Sequence, residues 1–393
     1  MLTEPLLTET VPTENVPTEG LTRLRIGPIE IDRPVVLAPM AGVTNPPFRS
    51  LCRRFGAGLY VGEMVGARSL VEGHATTLRL ASFGADESPR SIQLYGTNAT
   101  DIDGAVRDLV NRAGADHIDL NFGCPAPKVT RNGGGAALPV RRRLLTDIIS
   151  AAVRAAGDVP VTAKFRMGVD DDHLTYLETG RIAADVGCAA IALHARTAEQ
   201  LYSGTARWAA IAELKAAVDG IPVLGNGDIW DADDALAMMA QTGCDGVVIG
   251  RGCLGRPWLF GHLAAAFAGQ DAPPLPSLGE VGAMMVEHFD LLEDWAGTHL
   301  AVREFRKHAG WYLKGFPVGG ELKGDLNQLA DRAHLVDRLG RLDPAMTMTP
   351  EGRRSKRGHQ GGPRPVALPH GWYDLADSDE ALADAAAVAS SGG

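Results

Sequence analysis

No two of the five cysteines in this 393-residue chain, Cys52, Cys124, Cys188, Cys244 and Cys253, stand in CxxC spacing, and none belongs to a short Cys/His cluster. That argues against a zinc site and a disulfide framework, so no metal centre is expected. Free thiols point to a reducing compartment, the cytoplasm. No uninterrupted apolar run approaches the roughly 20 residues of a membrane span. The opening MLTEPLLTET has neither the basic start nor the apolar stretch of a secretion signal. Bases are missing from both ends. Residues 1–20 carry Glu4, Glu9, Glu14 and Glu19, and residues 373–393 carry four Asp and one Glu, without a Lys or Arg. Removing these from the net charge of −10 leaves about −1 for the body, so the overall acidity does not exclude a nucleic-acid partner.

What is present is a repeating pattern. Apolar residues make up 45% of the chain, enough for a large core. Eight short apolar runs recur: PVVLAP (34–39), GLYVGE (58–63), SIQLYG (91–96), HIDLNF (117–122), VPVTAKF (159–165), AIALHA (190–195), IPVLGN (221–226) and DGVVIG (245–250). The stretches between them place apolar residues at i, i+3 and i+4 and often end in Gly, as amphipathic helices do. Eight β-then-α units over about 230 residues predict an α/β fold, a (β/α)8 TIM barrel. A doubly wound sheet is the competing architecture, but no GxGxxG follows the first run. Beyond residue 280 only helical periodicity continues, so a small all-helical C-terminal domain should follow the barrel. The boundaries read as a disordered leader over 1–20 with its VPTEN/VPTEG echo, the barrel over 21–275, the helical domain over 276–345, and a disordered tail over 346–393, basic first and acidic last.

Polar and reactive residues crowd the C-terminal ends of these runs, which in a barrel open onto one face. They are PMAG (Pro39, Met40, Ala41), Gln93, Asn121 with Cys124, Lys164 with Arg166, His194 with Arg196, GNGDI (Asn226, Gly227, Asp228) and GRG (Gly250, Arg251). Taken singly, each has a bland reading, since a free Cys is usually buried packing and a strand Lys can be a structural ion pair. Five successive strands with polar ends are a density that a core does not tolerate unpaired. Glycines after the seventh and eighth runs let backbone N–H groups approach an anion, and Arg251 adds a charged donor, which reads as a phosphate site. PMAG would form a platform for a flat ring, Gln93 would bond its edge, and Lys164 would stabilise negative charge on it. FMN fits those demands.

The stretches LAPMAGVTNPPFR, SIQLYG, HIDLNFGCPAPKV with GGGAAL, VTAKFRMG, LHARTAEQLYSG, VLGNGDI and IGRGCLGRPWLF, with REFRKHAGWYLKGFP beyond the barrel, resemble those of bacterial tRNA-dihydrouridine synthases, most of all the B subgroup, over about residues 22–345. The resemblance implies FMN-dependent reduction of a uridine in the D-loop of tRNA to 5,6-dihydrouridine, with NADPH or NADH as reductant. Hydride would pass from flavin N5 to C6, and Cys124 would protonate C5. FMN contacts are implied from Pro39, Met40, Ala41, Gln93, Lys164, His194, Asn226, Gly227, Asp228, Gly250 and Arg251. Asn121, Arg166 and Arg196 become candidates for contacts with the uracil or the tRNA. So do Arg303, Lys307, His308, Trp311, Tyr312 and Lys314 of the helical domain, where cations suit phosphates and aromatics suit stacked bases. Gly133–Gly135 would let the cysteine loop close over a base flipped out of its stack. A monomer is expected. Two alternatives stay open: an FMN barrel acting on a free pyrimidine, similar to dihydroorotate dehydrogenase, which has no use for a basic, aromatic helical domain, and a noncatalytic RNA-binding barrel, against which Cys124 and Lys164 argue.

Overall fold

The structure is a computed structural model that describes residues 23–376 apart from 57, 359 and 360, so the 1–20 leader lies outside the described residues. A short antiparallel hairpin, β1 (Leu24–Ile26) and β2 (Ile29–Ile31), comes first. Eight parallel strands then close a barrel: β3 (Val35–Leu37), β4 (Leu59–Gly66), β5 (Ser91–Tyr95), β6 (His117–Phe122), β7 (Val161–Arg166), β8 (Ala190–His194), β9 (Val223–Asn226) and β10 (Gly246–Ile249). Neighbours follow chain order, and β10 pairs with β3 to complete the ring. Each barrel strand overlaps the apolar run expected for it. The flanking helices begin at defined caps: Asn98 accepts from the Thr100 and Asp101 amides, and Asp231 with Asp234 forms a capping box on Ala232–Thr242.

The hairpin was not anticipated, because strands of three residues are too short to show a period. Leu24, Ile26 and Ile31 pack with Val36, Leu59, Val61, Leu224 and Val248 inside the barrel. The turn at Gly27 lies against Pro160 and Ala189, which immediately precede β7 and β8, so the hairpin stoppers the N-terminal end of the lumen. The opposite end is left for chemistry.

Helices Leu278–Ala296 and Thr298–Tyr312, with Gly320–Leu326 and Arg332–Leu339, share a second core built on Met285, Phe289, Phe305 and Tyr312. The stretch 325–342 is interrupted before Arg332, where Asp331 accepts from the His334 amide as an N-cap. Phe48 of the barrel side meets the rings of His288 and His308, each at 5.7 Å between centroids, so the two cores are joined by aromatic contacts. Among the described residues no helix is long and apolar enough to cross a membrane.

The disordered tail expected over 346–393 is contradicted over its described part. Pro350–Arg353 is helical, Arg357 is fully buried, and Trp372 sits in a small core with Ala137, Val140 and Val169. Arg353 pairs with Asp231 and Arg354 with Asp234. A Gly/Pro/Arg-rich composition hides such order, because the segment is held by specific carbonyls, carboxylates and one indole rather than by a periodic apolar face. Residues 377–393 lie outside the described residues.

Truncating Ile26, 1% exposed beneath the lumen, should cost about 2–4 kcal/mol of stability by leaving a cavity that its neighbours only partly fill. Urea unfolding of Ile26→Ala checks this, and an unchanged midpoint would show that the hairpin is not part of the core.

Candidate functional site

The C-terminal ends of the strands frame a cleft of about 340 Å³. Its walls bring together Pro39, Met40, Ala41, Gln93, Asn121, Cys124, Lys164, Arg166, His194, Arg196, Asn226, Gly227, Asp228, Gly250, Arg251 and Trp311. Parallel register explains the convergence: Asn121 pairs with Lys164, and two residues further along Arg166 pairs with His194 and His194 with Asn226, so residues distant in sequence stand side by side at one end of the ring.

Cys124 follows β6 on a loop with little freedom. Asn121 Oδ1 accepts from the Gly123 amide at 3.1 Å and from the Cys124 amide at 2.8 Å. Arg166 Nε donates to Gly123 O at 2.9 Å, and its Nη1 donates to Thr197 O and Leu201 O, each at 2.9 Å. Arg166 is therefore a brace across three loops, and these three donations are not directed at a substrate. Cys124 O accepts from Ala136 N at 3.0 Å. The glycine run permits this folding back: Gly133 and Gly135 have φ of +74° and +55°, and a Cβ on Gly135 would lie 2.5 Å from Cys124 O. Burial pushes the Cys124 thiol up from its ordinary pKa, so it is protonated at neutral pH.

A buried polar chain runs from the barrel interior to this loop. Ser91 Oγ donates to His117 Nδ1 at 2.7 Å, His117 Nε2 to Thr162 Oγ1 at 2.9 Å, and Thr162 Oγ1 to Asp119 Oδ1 at 2.6 Å. The directions follow from the carboxylate end, which can only accept, and from a histidine kept neutral because burial pulls its pKa down to about 3. Gln93 Nε2 donates to Asp119 Oδ2 at 2.6 Å, and Gln93 Oε1 accepts from Asn121 Nδ2 at 2.7 Å. Asp119 thus sets the sense of the Gln93 amide, which in turn sets Asn121. Asp119 was missed in the sequence, where it reads as one polar residue inside an apolar run.

The opposite wall is rich in cations. Lys164 makes no hydrogen bond or ion pair among the described residues, and burial, with Arg166 nearby, lowers its pKa to about 8. Arg196 is fully buried and donates from Nη2 to both Asp228 oxygens, at 2.9 and 2.7 Å, while its Nη1 has no partner among the described residues. Arg251 lies 3.7 Å from Asp228 and near the rings of Tyr202 and Trp230, whose centroids are 4.2 and 5.1 Å from its guanidinium carbon. Burial, followed by Arg166, Lys164, Arg196 and Arg251, drives His194 well below its ordinary pKa. Four cations face the Asp228 and Asp119 carboxylates, and that surplus in a desolvated cleft fits an anionic ligand. No group of three or more His, Cys, Asp or Glu among the described residues could hold a metal ion.

A family model described as Dihydrouridine synthase (Dus) matches residues 36–346. The chain belongs to the dihydrouridine synthase family. A Mycobacterium tuberculosis relative named "Probable tRNA-dihydrouridine synthase" is 56% identical over 366 residues, covering 91% of this chain and 93% of its own. A Mycobacterium leprae protein of the same name is 53% identical, covering 88% and 96%. "tRNA-dihydrouridine synthase B" of Xanthomonas campestris is 43% identical over 305 residues, covering 78% of this chain and 91% of its own.

In this family member the helical residues expected to meet tRNA are divided. Trp311 lines the cleft, and Arg303 is open to solvent with 62% of its side chain exposed. His308 and Tyr312 are fully buried, contrary to expectation. They form the aromatic joint with the barrel, His308 against Phe48 and Tyr312 Oη 3.2 Å from His288 Nδ1. Lys307 is paired with Glu304 above the PMAG turn, and Lys314 Nζ donates to Lys356 O. Helical periodicity shows which residues share a face but not whether that face meets RNA or a domain. Met64, Tyr202, Trp230 and Gly358 line the cleft unanticipated; Tyr202 stood inside LHARTAEQLYSG, where its loop position gave no geometric signal.

Burial raises Asp119 to about 6, so the native state binds its proton more tightly than the unfolded chain does. The stabilisation this provides is complete below about pH 4 and is lost as pH rises through 6, a change of up to about 3 kcal/mol. Asp119→Asn lacks that titration, so its stability relative to the parent should improve from pH 4 to pH 7. Parallel urea midpoints for the two proteins across that range would contradict the assignment.

Proposed function

We propose that the chain reduces a uridine of tRNA to 5,6-dihydrouridine, with FMN held at the barrel mouth and Cys124 as the proton donor. The observation that carries this reading is a thiol, braced on its own loop, lining the same cleft as Lys164 and an excess of buried cations. Membership of the dihydrouridine synthase family and the names of the relatives support the substrate.

The chain's residues divide the work. Arg251 and Arg196 Nη1, with the backbone at Gly227 and Gly250, would hold the phosphate of FMN, and Pro39, Met40 and Ala41 would support its ring. Asn226 Nδ2 is committed to Val248 O at 2.7 Å, so it stiffens the β9 end of that cradle. Lys164 would face the ring edge and favour negative charge there. Bound FMN, with NADPH or NADH as reductant, would supply the hydride equivalent required at C6 of the uracil. Cys124 Sγ–H would give the matching proton to C5, and the raised thiol pKa keeps that proton available at neutral pH. The uridine must leave its stack to enter the cleft, and Arg303 and Trp311 would assist from the helical domain. The enzyme would act as a monomer in the cytoplasm, where its thiols stay reduced.

Cys124→Ala should retain bound FMN and tRNA affinity while turnover falls about 10²–10⁴-fold, read as dihydrouridine formed per tRNA by mass spectrometry. Purified protein without flavin, or undiminished turnover in the variant, would sink the reading. Faster reduction of free uridine than of tRNA would favour the small-pyrimidine alternative.

A further inference from the structure

Beyond residue 346, where the family match ends, the described residues 347–358 and 361–376 form a strap that meets the loops at the barrel mouth in two places. One end is tied to the helical domain and to the loops after β9 and β10. Thr349 N donates to Gly315 O at 3.0 Å, Arg256 Nη1 donates to both Trp230 O and Arg353 O at 2.8 Å, and Arg357 Nη2 donates to Lys314 O at 2.7 Å. The other end meets the loops after β6, β7 and β8. Arg364 N donates to Glu199 O at 2.9 Å, Arg142 N donates to Ala376 O at 3.2 Å, and the Tyr373 ring stacks on His173 with centroids 3.8 Å apart.

Trp372 is the buried centre of that second end, 2% exposed. Its Nε1 donates to Ala137 O at 2.8 Å, the Arg141 guanidinium carbon lies 5.4 Å from its ring centroid, and a Cβ on Gly133 would fall 2.3 Å from the indole. The segment it holds, 133–137, is the one whose Ala136 amide bonds the carbonyl of Cys124. Three consecutive glycines give that segment many conformations in the absence of contacts, and an indole clamped over them removes most of that freedom.

We propose that Trp372 is a positioning residue for Cys124: the strap presents its indole to the glycine run, and the run fixes the loop that bears the thiol. The effect on turnover rests on the proton-donor reading above, whereas the effect on the loop does not.

The test uses the full chain with FMN bound and compares Trp372→Ala and Trp372→Phe with the parent. The rate of Cys124 alkylation by iodoacetamide is followed by peptide mass spectrometry, and Cys52, Cys188, Cys244 and Cys253, all buried, serve as internal controls. Trp372→Ala should label Cys124 about 10-fold faster without labelling the other four, and should lower kcat about 10- to 100-fold with KM for tRNA within about 2-fold. Trp372→Phe keeps a ring over Gly133 but loses the N–H donation, so it should fall between, about 5-fold down in kcat, and it decides the matter if the alanine variant does not fold. Parent-like labelling and kcat in the folded variants, or equal acceleration at all five cysteines, would overturn the inference. Altered Cys124 labelling in the Trp372 variants together with full activity in Cys124→Ala would leave the positioning intact and remove the donor assignment instead.

Discussion

Asn121 Oδ1 holds the amides of Gly123 and Cys124 while Arg166 holds the Gly123 carbonyl, and this clamp decides where the thiol stands. Its parts come from adjacent strands, β6 and β7, so the barrel's register is itself a component of the site. Asn121 cannot turn freely, because its amide nitrogen donates to Gln93, and Gln93 is oriented by Asp119. A polar chain of this kind is tolerated in a core because each link has a partner, and its cost if one link is removed falls on the loop at its end.

The cations opposite obey a different logic. Arg166 is consumed by carbonyls and Arg196 largely by Asp228, which leaves Lys164 and one nitrogen of Arg196 without a partner among the described residues around the same space. Burying positive charge without a partner is expensive, and a fold retains it where a ligand supplies the missing negative charge. His194, surrounded by those charges, is kept neutral and contributes donors and acceptors without adding to the excess.

The helical domain and the strap shape this mouth from outside. The domain's most aromatic helix turns His308 and Tyr312 inward to make the joint with the barrel, leaving Trp311 at the cleft and Arg303 in solvent. Arg353, Arg354 and Arg357 of the strap are used in the same structural way, paired with Asp231 and Asp234 or sunk onto carbonyls. Positive charge in a linear sequence is therefore a poor guide to nucleic-acid contact in this chain, since most of these charges hold segments together.

The eight barrel strands, the second helical core and the set of residues at the strand ends were legible in the sequence, because each depends on local periodicity or on residues adjacent in the chain. The β1–β2 stopper, the Asp119 chain and the place of Tyr202 were not, since a three-residue strand has no period and a single polar residue does not announce its partner. Gly133 and Gly135 were visible as unusual, yet their use was settled by Cys124 O and Trp372, separated from them in opposite directions along the chain. Sequence alone determined which chemistry was present and at which end of the barrel. Tertiary structure decided which charges were already spent and what held the cysteine, because hydrogen-bond partners and burial depend on contacts between distant segments.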